Sequence, residues 1–383
     1  MHCAGGRCSP IARISIALKA ALFPALALIV AVPLAAAFLP LFRGIGPIAN
    51  LSRALAEPRF LRSFGFGLGQ ALASSLLALA LGLPGAYLLA KRRFPGKRIL
   101  SAMSAVPFCV PPLIVAIGFV LYYGREGFLN RALMNLFGLE TPPLDFLYSF
   151  AGIVMAHGFY NFPLVMRMVG DAWAGVPPSH EEAARLLGAK NPRVFFTVTL
   201  PSLLPAIGAA LSLVFLMCFF SFVIVLLFGG PGVGTPEVEL YRAARFEFDR
   251  ELASAFALVE SAVALAVLFI YAKVERKASG IRRDVVRGVV PTGFRTRLGL
   301  AGALAYGFIV VVFFLGPLGA VLVESFVVKG RAYGAGGVGL GNYASLFSNP
   351  AFGTAALNSL LLGLGSATLA AVAGFGFSLA LKK

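Results

Sequence analysis

The feature that most constrains this chain is a series of long apolar runs almost free of charge. Candidate spans stand at 20–42, 64–90, 99–123, 145–170, 202–228, 252–272, 298–325 and 354–381. A helix needs about 20 apolar residues to cross about 30 Å of hydrocarbon. In lipid only helices and closed barrels satisfy their own backbone groups, and runs of this length predict helices. The expected fold class is therefore all-α, a polytopic transmembrane helix bundle of about eight spans. With 59% hydrophobic and 13% charged residues, the chain lies outside the range of soluble domains, about 45–50% and about 25%. An ordinary soluble enzyme is excluded, and so is disorder. Arg7, Arg13 and Lys19 precede the first run, as in a secretory signal. Its 23 uncharged residues exceed a signal core of about 7–15, so it reads as a retained span.

The net charge of +17 has a topological reading. With the N-terminus in the cytoplasm, 22 of the 33 Lys and Arg fall on the inner side, as the positive-inside rule requires. The 91–98 turn holds five basic residues and no acidic ones, and the 273–297 segment holds eight basic residues. That segment reads as a basic cytoplasmic linker held by anionic membrane lipid. No aromatic platform accompanies it, so nucleic acid is not an expected partner. Cys109 and Cys218 sit in apolar runs and read as buried small hydrophobes. Cys3 and Cys8 beside His2 lack a second ligand pair, so no metal site is expected.

Self-comparison finds a gapless match at an offset of 292 residues. Pro58–Lys91 aligns with Pro350–Lys383, with 10 of 34 positions identical, among them Phe60/Phe352, Ser74/Ser366 and Gly82/Gly374. Parallel repeats are a common way to build a transporter around a central path. The second copy stops after its first matched span, which reads as a fragment or a truncated product. The expected domains are 1–63, an N-terminal span and outer loop; 64–272, a first domain; 273–297, the linker; and 298–383, the start of a second, incomplete domain.

The most informative segment is 175–201, between two spans on the inner side. Pro177-Pro178 breaks the preceding helix. Ser179 and Glu182 form a capping-box pattern that opens a new one. Glu181 and Glu182 favour its N-terminus through the helix dipole. Gly188 can adopt positive φ and end it. A second short helix is expected over 191–199, with Leu200-Pro201 ahead of the next span. Two short helices on the membrane surface suit a cytoplasmic partner.

The string Glu182-Ala183-Ala184-x3-Gly188-x9-Val198-x-Leu200-Pro201 resembles the EAA loop of ABC importer permeases, with valine in place of isoleucine. The resemblance implies a type I permease bundle whose loop docks on a cytoplasmic ABC ATPase dimer. Glu182 would make polar contacts there, Ala183 and Ala184 would allow close approach, and Gly188 would supply the turn. Tyr122–Leu129, Ala156–Arg167, Met217–Phe222 and Glu237–Asp249 further resemble the fused two-domain thiamine permeases, which are similar to the ferric-iron ones. The implied function is inward movement of a small solute, thiamine first and ferric iron as the alternative, across a bacterial inner membrane. An extracytoplasmic solute-binding protein would deliver it near loops 124–144 and 229–251. The chain is then a transport subunit with no catalytic residues and no cofactor of its own, with ATP and Mg on the partner ATPase. It has no G-x4-G-K-[ST] phosphate loop, and Gly334–Gly339 reads as a flexible outer loop rather than a dinucleotide site.

Ionisable groups at mid-bilayer cost about 2.5–3.5 kcal/mol on insertion scales. Glu260, His157 and Asn161 occupy such positions, with Gln70 early in its span. They either face a translocation path, where Glu260 would attract a cationic solute, or hydrogen-bond between helices. A rival from another class is an ion-coupled secondary transporter driven by Glu260 protonation, and a third is a membrane anchor without transport. Trp173 reads as an interfacial anchor, Arg167 as snorkelling to the interface, and His180 as a solvated loop residue.

Overall fold

A computed structural model of the chain describes residues 24, 27–105, 109–230, 233–282, 291–294, 296–328 and 337–381. His2, Cys3, Cys8, Lys19, Gly334, Gly336 and most of the basic linker lie outside the described residues. The chain divides into two units, one of Arg43–Glu324 and one of Met1–Phe42 with Ser325–Lys383. The first of these takes in the helix at 298–325 as well as the expected first domain.

The larger unit contains α2 (Pro47–Ala56), α3 (Pro58–Lys91), α4 (Lys97–Ala102), α5 (Pro112–Tyr123), α6 (Phe128–Phe137) and α7 (Phe150–Ala174). It continues with α8 (Pro178–Leu186), α9 (Asn191–Phe219), α10 (Val223–Phe228), α11 (Pro236–Arg245), α12 (Arg250–Arg282) and α13 (Arg297–Ser325). The smaller unit holds α1 (Ala27–Phe42), strands β1 (Val327–Val328) and β2 (Gly337–Val338), then α14 (Gly341–Phe347) and α15 (Pro350–Leu381). Among the described residues, six stretches are long and apolar enough to cross a membrane: α3, Pro112–Phe137, α9, Arg250–Arg276, α13 and Pro350–Leu379. Counting Ala27–Phe42 and Pro47–Ala56 as one broken span makes seven.

The fourth sequence run, 145–170, differs in kind from the others. Helix α7 has the length to cross but is not among the six. His157, Tyr160, Asn161 and Arg167 dilute its hydropathy. It can afford them because Ala156–Met166 are all buried, so this stretch faces protein on every side and lipid on none. Its tightest neighbour is α3. A Cβ at Gly82 would lie 2.9 Å from the Phe162 carbonyl oxygen, and one at Gly158 would lie 2.6 Å from Leu77. Small residues therefore let the two backbones close up, the usual means of helix association where apolar burial alone gives no preference. Helix α13 joins the same core through its aromatic face. Phe313 stacks on Phe159 at 5.8 Å, Phe314 meets Phe162 edge-on at 5.2 Å, and the Tyr306 hydroxyl donates to the Leu81 carbonyl at 3.0 Å.

Two expected spans are redrawn. The run 99–123 is not one helix: α4 and a short 3-10 turn end at Ala105, and α5 begins at Pro112. Pro111 and Pro112 break a run that hydropathy reads as continuous. The run 202–228 is also split, since α9 ends at Phe219 and α10 begins at Val223. Cys109, expected to be buried, is exposed, whereas Cys218 is buried.

In the smaller unit β1 and β2 pair antiparallel, Val327 opposite Val338. Gly337 and Val338 thus belong to a hairpin. Asn342 donates to the Val327 carbonyl at 2.9 Å and fastens α14 beneath it.

Candidate functional site

The segment 175–201 folds into a short helix with an exposed tip and a fastened base. Helix α8 starts two residues earlier than the capping-box pattern suggests. Pro177 is its N-cap, Pro178 takes the first turn, and no side chain caps it. Proline's fixed φ suits that first position, so Ser179 falls inside the helix and the box does not form. Its C-terminus follows the sequence. Gly188 has φ +83, its N–H bonds the Arg185 carbonyl at 2.9 Å, and the Ala189 N–H bonds Ala184 at 3.0 Å. That pair of bonds is a Schellman motif, which needs the left-handed residue that glycine supplies.

Beyond Gly188 the expected second surface helix does not stand alone. Asn191 opens α9, which runs unbroken to Phe219 through a π-turn at Phe195–Thr199. The Leu200 N–H reaches back five residues to Phe195, and Pro201 has no N–H to continue the ordinary ladder. Val198, Leu200 and Pro201 therefore lie within the first turns of a long span.

Glu182 and Ala183 are exposed and Ala184 half-buried. Leu186 and Leu187 are 89% and 90% exposed, an apolar tip of the kind that marks a protein contact. The base is held by Glu181, for which sequence reasoning offered only a dipole role. Its carboxylate lies 3.0 Å from Lys91 Nζ and 3.6 Å from Arg185, and it accepts from the Thr199 hydroxyl at 3.1 Å. Lys91 and Glu181 are both mostly buried, so α3, α8 and α9 meet at one carboxylate. The paired lysine at the end of each repeat was the available signal for Lys91.

Trp173 is 5% exposed, not an interfacial anchor. It ends α7 beneath the loop, between Tyr87 and Phe195. A cavity of about 530 Å³ opens beside it. Arg92 closes another side by bonding the Tyr87 hydroxyl at 2.6 Å and the Gly293 carbonyl at 3.1 Å. Arg93 N–H donates to Thr292 at 3.0 Å, and Thr292 N–H to Lys91 at 3.1 Å. The chain entering α13 is thus strapped to the end of α3. Arg167 is exposed and pairs with Asp171 at 3.5 Å, and His180 is exposed.

A second feature lies inside the bundle at the gap between α9 and α10. His157 Nε2 is 2.7 Å from the Ser221 hydroxyl. Asn161 donates to the His157 carbonyl at 2.9 Å and to Cys218 Sγ at 3.5 Å, and Gln70 donates to the Cys218 carbonyl at 2.7 Å. Thr235 caps the Ser221 carbonyl at 3.0 Å. Four helices thus converge on the broken turn. Gln70 Oε1, Asn161 Oδ1 and His157 Nδ1 are buried and have no hydrogen-bond partner among the described residues. Glu260 is 4% exposed on α12, its Oε1 has no hydrogen-bond partner among the described residues, and the half-buried Glu237 of α11 lies close to it. The structure therefore joins His157 with Asn161 and sets Glu260 apart from them, beside Glu237, a neighbour that the sequence did not suggest.

The loop 124–144 carries α6 and is organised by Asn130, which is fully buried. Asn130 donates to the Gly124 and Leu144 carbonyls at 2.9 and 2.8 Å and accepts from Leu144 N–H at 3.0 Å. On its surface Arg125 holds Asp145 at 2.8 Å and keeps that carboxyl below its ordinary range.

Residues 78–280 match the family described as binding-protein-dependent transport system inner membrane component. A Salmonella typhi protein named for a 2-aminoethylphosphonate transport system permease is 36% identical over 189 residues, 49% of this chain and 65% of that one. The thiamine transport system permease protein of Brucella abortus is 35% identical over 207 residues, 54% of this chain and 38% of that one. The chain thus spans less than two thirds of the length of either. Among solved structures, a bacterial ABC transporter involved in the import of the acidic polysaccharide alginate matches with a TM-score of 0.57 at 19% identity. That match covers 69% of this chain and 96% of the other.

Proposed function

Because the chain belongs to the binding-protein-dependent transport inner-membrane component family, we propose that its bundle carries a small solute with a positively charged nitrogen. It is a permease subunit of an ABC importer, a transport subunit rather than an enzyme. That membership removes the ion-coupled reading. The solute class rests on the buried, unpaired Glu260 carboxyl with the half-buried Glu237 beside it. Two carboxyl groups close together resist carrying full charge at once, so a proton or a cation between them is favoured. Thiamine is the leading solute, in keeping with the Brucella relative. The ammonium of 2-aminoethylphosphonate would suit the same pair, but its phosphonate needs a cation. The polar cluster of Gln70, His157, Asn161, Cys218 and Ser221 offers no lysine or arginine. Ferric iron is the third candidate.

In this reading a solute-binding protein delivers at the outer loops, with the N-terminus on the inner side. A partner ATPase, binding ATP and Mg, docks on α8, where the leucine tip enters the partner and the Glu181 base carries its movement into α3 and α9. The bundle then alternates between outward and inward access. The test is uptake of labelled thiamine by membranes holding the whole importer. Glu260→Gln should lower kcat/KM by about tenfold or more, and wild-type rate and affinity would remove Glu260 from the path. Separately, Gly188→Pro should abolish co-purification of the ATPase, because proline can neither take positive φ nor donate to Arg185. Retention of the ATPase would refute docking on α8.

A further inference from the structure

Where α3 ends beside the start of α13, the two helices leave a groove of about 200 Å³ between them. Helical spacing builds both walls. Pro84, Leu88 and Arg92 follow one another at steps of four along α3 and just past its end. Gly299, Gly302, Ala303 and Tyr306 stand at i, i+3, i+4 and i+7 on α13, so they share one face. The two glycines and the alanine leave that face hollow, and a Cβ at Gly302 would meet no atom within 4 Å. Tyr306 closes the far end by donating to the Leu81 carbonyl at 3.0 Å. From Gly299 to Tyr306 the groove runs about 10 Å at 1.5 Å per residue. Leu298, Leu300 and Leu304 beside it are exposed, as suits a helix side that meets hydrocarbon.

The groove is polar at one end only. Arg92 is the one charged residue among those that line it. Its guanidinium lies over the Tyr87 and Phe294 rings at 5.4 and 5.6 Å. Three of its N–H bonds go to the Tyr87 hydroxyl and the Gly293 carbonyl. A guanidinium has five such donors, so two stay unspent among the described residues. Glu181 and Glu182 line the separate cavity behind α8, where Lys91 and Arg185 answer them. Arg93, Lys97 and Arg98 follow Arg92 closely in the chain, and none of the four forms an ion pair with a described carboxylate. Burial, and then Arg93 beside it, holds the Lys97 ammonium below its ordinary range, as expected where cations gather without an anion.

We propose that this groove seats one anionic phospholipid, with its headgroup phosphate on Arg92 and an acyl chain along Gly299, Gly302 and Ala303. The order of the lining, a cation at the end of the helices and small apolar residues below it, matches the order of head and chain in a lipid. Basic pockets between membrane helices bind such headgroups. A soluble phosphate would use Arg92 but not the apolar length beneath it. A seated lipid fills the space between α3 and α13 and fastens the two helices together. The inference is independent of the solute reading, since it needs only that α3 and α13 lie in a membrane.

The full chain in detergent micelles is mixed with equal amounts of dioleoylphosphatidylglycerol and dioleoylphosphatidylcholine, and bound lipid is counted by native mass spectrometry. One phosphatidylglycerol per chain is expected at saturation, held in preference to phosphatidylcholine. Arg92→Gln should weaken its binding by about fivefold or more. Gly302→Phe, which fills the groove without touching a charge, should lower occupancy as much. Arg62→Gln, exposed near the opposite end of α3, should leave it unchanged. If Arg92→Gln fails to fold, Gly302→Phe carries the test, because that position is open. No preference between the two lipids overturns the proposal. Full occupancy in Gly302→Phe overturns it too, since charge alone would then attract the lipid. Displacement of the lipid by an equal concentration of glycerol phosphate would show a soluble-phosphate site and overturn it as well.

Discussion

Helices α3 and α15 are the two copies of one sequence pattern, and they live in opposite surroundings. Both start at the matched proline, Pro58 and Pro350, and both run for more than 30 residues. The most apolar stretch of α3 is 39% buried, against 6% for α15. Phe60 is 1% exposed and stacks on Phe256 at 4.1 Å, whereas its counterpart Phe352 is half-buried and meets Phe347 edge-on at 5.5 Å. Gly82 is pressed against α7, and Gly374 has no atom within 4 Å of where a Cβ would sit. The buried Gln70 corresponds to Leu362, which is 72% exposed. The lesson is that a span's sequence sets its length and start, while its neighbours decide which positions bear load. Gln70 is carried where other helices cover it, and its counterpart in the uncovered helix is apolar.

Matched substitutions would break or sharpen this contrast. The largest difference is expected for the phenylalanines. Phe60→Ala removes a fully packed ring and should cost about 3–5 kcal/mol, read as a lower thermal midpoint of the detergent-solubilised chain. Phe352→Ala should shift the midpoint far less, and equal shifts would mean that α15 is packed as tightly as α3. A smaller effect is expected at the glycines. Gly82→Leu forces α3 from α7 and should cost about 1–3 kcal/mol by overpacking, while Gly374→Leu should be silent. A destabilising Gly374→Leu would show that α15 acquires a close neighbour in the membrane.

Legibility in the sequence followed the range of the physics involved. The all-helical class and most spans were readable because apolar length is a local property. The turn at Gly188 was readable because left-handed backbone favours glycine wherever it occurs. The breaks at Pro111-Pro112 and at Phe220–Phe222 were not, since hydropathy averages over a window and ignores the backbone. Glu181 and Trp173 were misjudged for another reason: their surroundings come from α3 and α9, which are distant in sequence. The nearness of Glu237 to Glu260 likewise depends on how α11 folds back, and charge spacing does not report that.

The unbroken course of α9 has a mechanical meaning. Its 29 residues form a rod about 44 Å long at 1.5 Å per residue. One end is hinged at Gly188 beside the exposed leucines, and the other stops next to Ser221, which His157 grips. A lever of that length turns a tilt of a few degrees at the leucine end into several ångström of travel at the gap. Motion imposed at the surface end of such a rod would reach the open turn just beyond its far end directly.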